Sequence, residues 1–253
     1  MSNYFDLLKE FFVTDFKLRY KHSYLGFLWV VLKPLSYYLV MNIVWTSLFK
    51  TTGNYSSYLL IGILTITYFM EGITFGLQSL VNKAHIILKV NFPREIVVFS
   101  AIAIASINFL INFCIYLSFR LFAEQPLFSI NWGYFVWGIL LLTTLLLGIS
   151  FFICIISVRY HDIKHLIELV LQLVFWATPV FYRIEQLPRD IANIISIYNP
   201  LTLVIDLIRA GLLNDVPIPN TLDALVKSAL VLVFTFAGFV FFKKHLLKIA
   251  EYF

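Results

Sequence analysis

The sequence predicts an all-α polytopic membrane protein. Of its 253 residues, 60% are hydrophobic and only 13% are charged, where a soluble domain carries roughly 25% charged residues. The apolar residues also gather into uninterrupted runs of about 20, the length of helix that crosses the hydrocarbon core of a bilayer. The mean hydropathy of +0.87 agrees. The expected architecture is a single domain with short connections. It has six transmembrane helices, an N-terminal amphipathic interface helix and two short outer re-entrant helices between spans five and six.

Residues 4–20 form the first element. Tyr4, Phe5, Leu8, Phe11, Phe12 and Phe16 recur at helical spacing, with Asp6, Lys9, Glu10 and Lys17 on the other face. This pattern suits a helix lying in the membrane interface; a soluble helix packed on a partner would show the same one. Those charges, with Asp15 and Arg19, interrupt any signal-peptide core. A basic, aromatic run, Arg19 to Pro34, then leads without a linker into the first span. Within it Gly26 would let helices approach closely, and Trp29 and Lys33 suit a membrane–water boundary.

The six spans fall at about 25–49, 56–81, 96–119, 132–157, 165–182 and 222–242. The fifth has the shortest clean core, because Glu168 and Arg183 bound it. Placing both termini in the cytoplasm leaves Lys50, Arg120, Arg183, Arg189, Arg209 and Lys227 outside. The other 13 of the 19 Lys and Arg residues are then inside, as the positive-inside tendency requires. Between spans five and six, residues 183–220 are too apolar for an ordinary surface loop. Ile191, Ile194 and Ile195, then Leu201, Leu203, Val204, Leu207 and Ile208, repeat at roughly helical spacing on either side of Asn199-Pro200. Two short helices dipping back from outside fit this pattern, because non-spanning backbone is tolerable at that depth when protein covers it.

Several functions are excluded by what the sequence lacks. The net charge of +5 sits at span ends and forms no basic stripe with interleaved aromatics, so no nucleic-acid partner is expected. Cys114 and Cys154 lie inside apolar spans and act as small hydrophobes. No Gly-x-x-x-x-Gly-Lys-Ser/Thr loop occurs, so the chain has no P-loop of its own. No Ser, His and Asp spacing isolates a nucleophile with its base. His161 and His165 are four apart beside Asp162, but a zinc site needs three or four converging ligands. No catalytic residue, metal site or resident cofactor is therefore expected.

Three features point towards transport. Glu71, mid-way along the second span, is either a group facing a wet path or gate, or a protonated or hydrogen-bonded structural glutamate. A proton-coupled secondary transporter would also use such a residue. Tyr37, Tyr38, Tyr68, Phe69, Phe175, Trp176, Phe181 and Tyr182 are aromatics away from the span-end anchors. They could stack on sugar rings along a path, or pack as ordinary membrane aromatics. Residues 82–95 link spans two and three on the cytoplasmic side, and a short helix there would offer Ile87, Leu88 and Phe92 to a partner groove. A solvated turn is the plainer alternative.

Six blocks in order resemble the polysaccharide and polyol-phosphate export permeases, the membrane subunits of type-2 ABC exporters in the O-antigen, capsule and teichoic acid exporter family. They are Arg19 to Pro34; Gly62 with Tyr68-Phe69-Met70-Glu71; Lys89-Val90-Asn91-Phe92-Pro93-Arg94-Glu95; Val158-Arg159-Tyr160-His161-Asp162-Ile163; Thr178-Pro179-Val180-Phe181-Tyr182; and Tyr198-Asn199-Pro200-Leu201-Thr202 with Arg209. The chain departs from the family at Ile66, where tryptophan is commoner, and at His161, which replaces a basic residue.

The resemblance covers essentially the whole chain and implies one transmembrane domain over 1–253. This divides into an interface-helix region (1–24), spans one to five (25–182), outer re-entrant helices (183–220) and span six with a cytoplasmic tail (221–253). It implies a homodimer in the inner or plasma membrane of a prokaryote, with two ABC ATPase subunits that bind ATP and Mg. A loop containing Ile87, Leu88, Lys89, Phe92, Pro93, Arg94 and Glu95 would couple to the ATPase. The path, faced by spans one and five, would carry a lipid-linked polysaccharide among membrane lipids. Its candidate lining is the aromatic set above with Glu71, and its outer gate would involve Asn199, Pro200 and Arg209. Competing readings are a type-2 exporter of drugs or small lipids, a secondary transporter, and a membrane transferase. The last would need a paired acid, a His-Asp arrangement or a metal site that the sequence does not offer.

Overall fold

The computed structural model describes residues 4–20, 26–49, 55–122, 130–160 and 162–246, and the regular elements among them are all helical. Residues 21–25 of the basic run, and His161, lie outside the described residues. Helix α1 (Tyr4–Tyr20) precedes α2 (Leu28–Phe49) and α3 (Tyr55–Gln78). A 3-10 turn (Val81–Lys83) and the short α4 (Ala84–Ile87) connect α3 to α5 (Glu95–Phe122). Then follow α6 (Trp132–Arg159), α7 (Ile163–Ala177), α8 (Arg189–Tyr198), α9 (Pro200–Leu212) and α10 (Thr221–Leu246). Helices α2, α3, α5, α6 and α10 are each long and apolar enough to cross a membrane.

The fifth expected span differs from its expected form. Helix α7 has 15 residues, about 22 Å at 1.5 Å per residue, against a hydrocarbon core of about 30 Å. It stops where Thr178 precedes Pro179, because the residue before proline is driven out of the helical region, and Thr178 is extended at φ −94°, ψ 137°. The rest of the expected span, residues 178–182, turns back into the protein as irregular chain.

The two expected short helices are present. α8 and α9 meet at Asn199 with a 91° bend. Asn199 Oδ1 accepts the Leu201 amide at 3.0 Å, and Pro200 follows at the first helical position, where its missing N–H leaves nothing unpaired. α8 leaves Ile191, Ile194 and Ile197 exposed. In α9, by contrast, every residue from Leu201 to Leu212 except Asp206 is buried. α9 therefore forms the centre of the bundle and packs against α3 and α6, while α10 closes over α6.

Gly26 turns the chain into α2: its φ of 41° puts it in the left-handed region, where glycine has no Cβ penalty. Among the described glycines the closest approach to another helix's backbone lies at Gly211, where an added Cβ would come within 2.5 Å of the Phe135 amide nitrogen and 2.9 Å of its Cα. Backbone cannot swing aside as a side chain can. Gly211→Ala should therefore destabilise the fold by about 1–3 kcal/mol through overpacking, read as earlier heat or SDS unfolding of detergent-solubilised protein. A variant as stable as the parent would show that α6 and α9 can separate freely.

Candidate functional site

The irregular segment after α7 is buried, so each of its carbonyls needs a partner. Arg209, fully buried on α9, donates from Nη1 to the Pro179 carbonyl at 2.8 Å and from Nη2 to the Val180 carbonyl at 2.9 Å. Its Nε reaches the Tyr58 carbonyl at 3.3 Å, and its guanidinium lies 3.4 Å above the Tyr58 ring. Tyr55 Oη donates to the Phe181 carbonyl at 2.9 Å and Tyr58 Oη to the Tyr182 carbonyl at 3.3 Å. Four successive carbonyls are thus satisfied by three side chains. Gly62 makes room for this, since a Cβ there would meet Arg209 Nη2 at 2.6 Å. Asn199 joins the same unit by donating to Thr178 Oγ1 at 3.0 Å.

Held in this way, Phe181 becomes the hub of an aromatic wall. Trp45 stacks parallel to it at 6.4 Å, Phe175 meets it edge-on at 5.1 Å and Trp176 lies 5.7 Å away. Tyr37 continues the series, 6.4 Å from Phe175. Beside this wall a groove of about 380 Å³ runs between α2, α3 and α7. Lys33, Tyr37 and Met41 line one side, Thr67 and Met70 the floor, and Gln172, Phe175 and Trp176 the other side. Aromatic faces beside an amide, a hydroxyl and a cation suit a polyhydroxylated ligand, offering stacking together with hydrogen bonds.

The other expected path residues lie elsewhere. Tyr68 is buried, with its hydroxyl 2.8 Å from Ser106 Oγ and 2.9 Å from Thr143 Oγ1. Phe69 is buried, Phe181 is buried within the wall without lining the groove, Tyr38 is half-buried against the core, and the Tyr182 hydroxyl donates back to the Ala177 carbonyl at 3.2 Å. Glu71 points to α5, where its Oε2 accepts from Asn108 Nδ2 at 3.0 Å. One turn on, Asn112 Nδ2 donates to the Asn108 carbonyl at 2.9 Å and to the Val30 carbonyl of α2 at 3.1 Å. Val30 is four residues before Pro34, so the proline ring denies that carbonyl its helical partner. The sequence reading singled out neither asparagine. The signal was present as two amides four apart in a span with no charge.

The link between α3 and α5 is divided into inward and outward residues. Ile87 is buried, and Phe92 is buried against Phe11 of α1 with ring centres 5.1 Å apart. Arg94 donates to the Leu246 carbonyl at 3.1 Å, and Glu95 pairs with Lys243 at 2.6 Å, both on α10. Leu88, Lys89, Val90, Asn91 and Pro93 are exposed. Lys83, in the 3-10 turn, pairs with Asp15 of α1, and Ser100 donates to the same carboxylate at 3.2 Å. Among the described residues no group of three His, Cys, Asp or Glu gathers to hold a metal; His165 is exposed, 3.7 Å from Glu168.

The Arg209 clasp has a direct test. Lysine keeps the charge but cannot spread its donors over three carbonyls, and each buried acceptor left unpaired costs about 1–3 kcal/mol. Arg209→Lys should therefore lower stability in detergent by about 3 kcal/mol, with Gly62→Ala shifting unfolding in the same direction. Parental stability in Arg209→Lys would mean that other donors serve these carbonyls.

Comparison with known proteins agrees with this architecture. The ABC-2 type transporter family model matches residues 7–213. The chain is similar to an O-antigen export system permease protein RfbA of Klebsiella pneumoniae, at 31% identity over 219 residues and 83% of each chain. A second K. pneumoniae protein of that name is 28% identical over 253 residues, covering 98% of this chain and 95% of the relative. One from Myxococcus xanthus is 23% identical over 256 residues, covering 99% and 96%. With five helices of spanning length among the described residues and a family match over most of its length, the chain belongs to the ABC-2 type transporter family, as the multi-pass membrane subunit of a type-2 ABC exporter.

Proposed function

We propose that two copies of this chain form the path of an ATP-driven exporter that moves a lipid-linked polysaccharide out of the cytoplasm through the inner membrane. The observation that carries the reading is the groove between α2, α3 and α7, walled by Tyr37, Phe175 and Trp176. The names of the relatives, which match nearly end to end, support the cargo class. A chain of hydroxyls cannot enter hydrocarbon unaided, because each polar group stripped of water is penalised by several kcal/mol. An aromatic wall lets sugar rings slide while Gln172, Thr67 and Lys33 replace some of their water. α2 and α7 expose Leu39, Val40 and Ile43, and Leu166, Leu169 and Leu173, apolar faces that a second copy would cover on either side of the path.

Both termini lie in the cytoplasm on this reading, with α1 in the membrane interface. The α8–α9 pair enters from outside, where Asn199, Pro200 and Arg209 shape the exit. Two ABC ATPase subunits bind ATP and Mg and grip the turn between α3 and α5. Leu88 and Val90, each more than half exposed beside Lys89, form the knob they hold; Ile87, Phe92, Arg94 and Glu95 seat that knob on α1 and α10. ATP acts by favouring one arrangement of the pair over another.

Coexpression with an ABC ATPase encoded beside the gene tests the assembly. The expected product in mild detergent is a two-plus-two complex with ATPase activity. Leu88→Asp should weaken ATPase capture at least tenfold while the chain still inserts. Trp176→Ala should slow export with the complex intact. A chain that purifies alone, without bound ATPase, overturns the exporter reading. Unchanged export in Trp176→Ala removes the groove from the path.

A further inference from the structure

The first span carries a break in its backbone that another helix repairs. Pro34 is buried within α2. It has no N–H to give, and its ring pushes on the carbonyl four residues back, that of Val30. Val30 is itself buried, so this carbonyl cannot take water. Asn112 of α5 supplies the missing donor at 3.1 Å. The assignment of its amide is fixed chemically, because both neighbours, the Val30 and Asn108 carbonyls, are acceptors and only the NH₂ end can serve both. Asn108 is set in turn by Glu71 on α3.

The arrangement is reversible by construction. If Val30 moves away, Asn112 keeps its bond to the Asn108 carbonyl of its own helix, so no buried donor is stranded on α5. Lys33, three residues further along α2, lines the groove. Past the proline, α2 has attachments of its own: Asn42 accepts from Ser56 of α3 at 3.1 Å, and Trp45 stacks on Phe181. The break therefore divides α2 into a distal part tied to α3 and the aromatic wall, and a first turn held to α5 through Asn112.

We propose that Pro34 and Asn112 form a releasable latch that positions the first turn of α2, so that the Lys33 end of the groove opens when this turn leaves α5. The latch rests on the export reading for its purpose, but not for its existence. Asn112 is a positioning residue, acting through the α2 backbone and not by touching cargo.

Substitutions at the two positions must be coupled, since restoring an N–H at position 34 makes Asn112 dispensable. Spin labels at Leu28→Cys and Leu140→Cys, with Cys114→Ala removing the exposed thiol, report the separation of the first turn of α2 from α6. The full chain is measured in lipid nanodiscs, with labelled chains diluted in unlabelled ones. Asn112→Ser can bond its own helix but is too short to reach Val30. It should raise the longer-distance population about fivefold, the equilibrium factor of one ordinary hydrogen bond. Pro34→Ala in the same chain should return the parental distribution. Asn112→Leu should behave as Asn112→Ser.

A distribution that Asn112→Ser leaves unchanged, or that Pro34→Ala fails to restore, overturns the latch. The distances are read without cargo or nucleotide, so they stand or fall apart from the export reading. Export measured on the same variants should fall in Asn112→Ser and recover in the double variant. Distances that follow this cycle while export stays constant throughout would overturn the latch's role in the path and leave the export reading intact.

Discussion

Every backbone N–H and C=O removed from water must find a partner inside the protein, and in a membrane chain no solvent stands by to repair an omission. Continuous helices meet this constraint alone, but a transporter needs irregular places, and among the described residues two show how such places are repaired. At residues 179–182 Arg209, Tyr55 and Tyr58 receive four carbonyls in a row. At Pro34, Asn112 receives one. Helix ends follow the same logic. Arg120 donates to the Leu212 carbonyl of α9, Lys227 to the Ser196 carbonyl of α8 at 3.1 Å, and Arg94 to the Leu246 carbonyl of α10. Each cation meets carbonyls in a last turn, where the helix dipole also favours positive charge.

The burial of α9 follows from this constraint. A guanidinium that serves three carbonyls must reach them from the centre of the bundle, so the helix bearing Arg209 is enclosed on nearly every face. Gly62 and Gly211 are the spatial consequences, one clearing the guanidinium and the other admitting the backbone of α6. The aromatic wall depends on the same bonds. Phe181 reaches Trp45, Phe175 and Trp176 because the chain on both sides of it is pinned, so the groove's shape is set by backbone hydrogen bonds that the groove itself does not touch.

The sequence disclosed the elements better than their partners. Spans two, three, four and six begin and end within a few residues of α3, α5, α6 and α10, because apolar length is a local property. Asn199-Pro200 marked the α8–α9 break for a local reason too, a side-chain cap followed by a residue suited to the first turn. The end of α7 was also written locally, in Thr178-Pro179, but the apolar run continues to Tyr182 and hydropathy alone reads through it. Pairings between distant segments were not legible. Phe92 and Arg94 look like residues offered to a partner until Phe11 and the end of α10 occupy them. Tyr68 is equally suited to a pore wall or to the hydroxyl pair it meets. Periodicity names a face and leaves open what the face meets.

Two parts of the bundle differ in how firmly they are held, and this difference gives the proposed export cycle a direction. α3, α5, α6 and α9 share the core and α10 packs along α6 with its outer face exposed, whereas α2 and α7 touch the bundle along narrow strips and expose most of their apolar surface. The turn between α3 and α5 is fastened to α1 by the Asp15–Lys83 pair and by the Phe11–Phe92 contact. α1 ends at Tyr20 and α2 begins at Leu28, so the helix that follows α1 is the one that carries the proline break. A push on the turn would meet a rigid core on one side and, through α1, the first turn of α2 on the other. Rigid packing transmits a displacement until it reaches a joint that can give. In the proposed latch that joint is Pro34, where one amide of Asn112 stands in for a helical hydrogen bond.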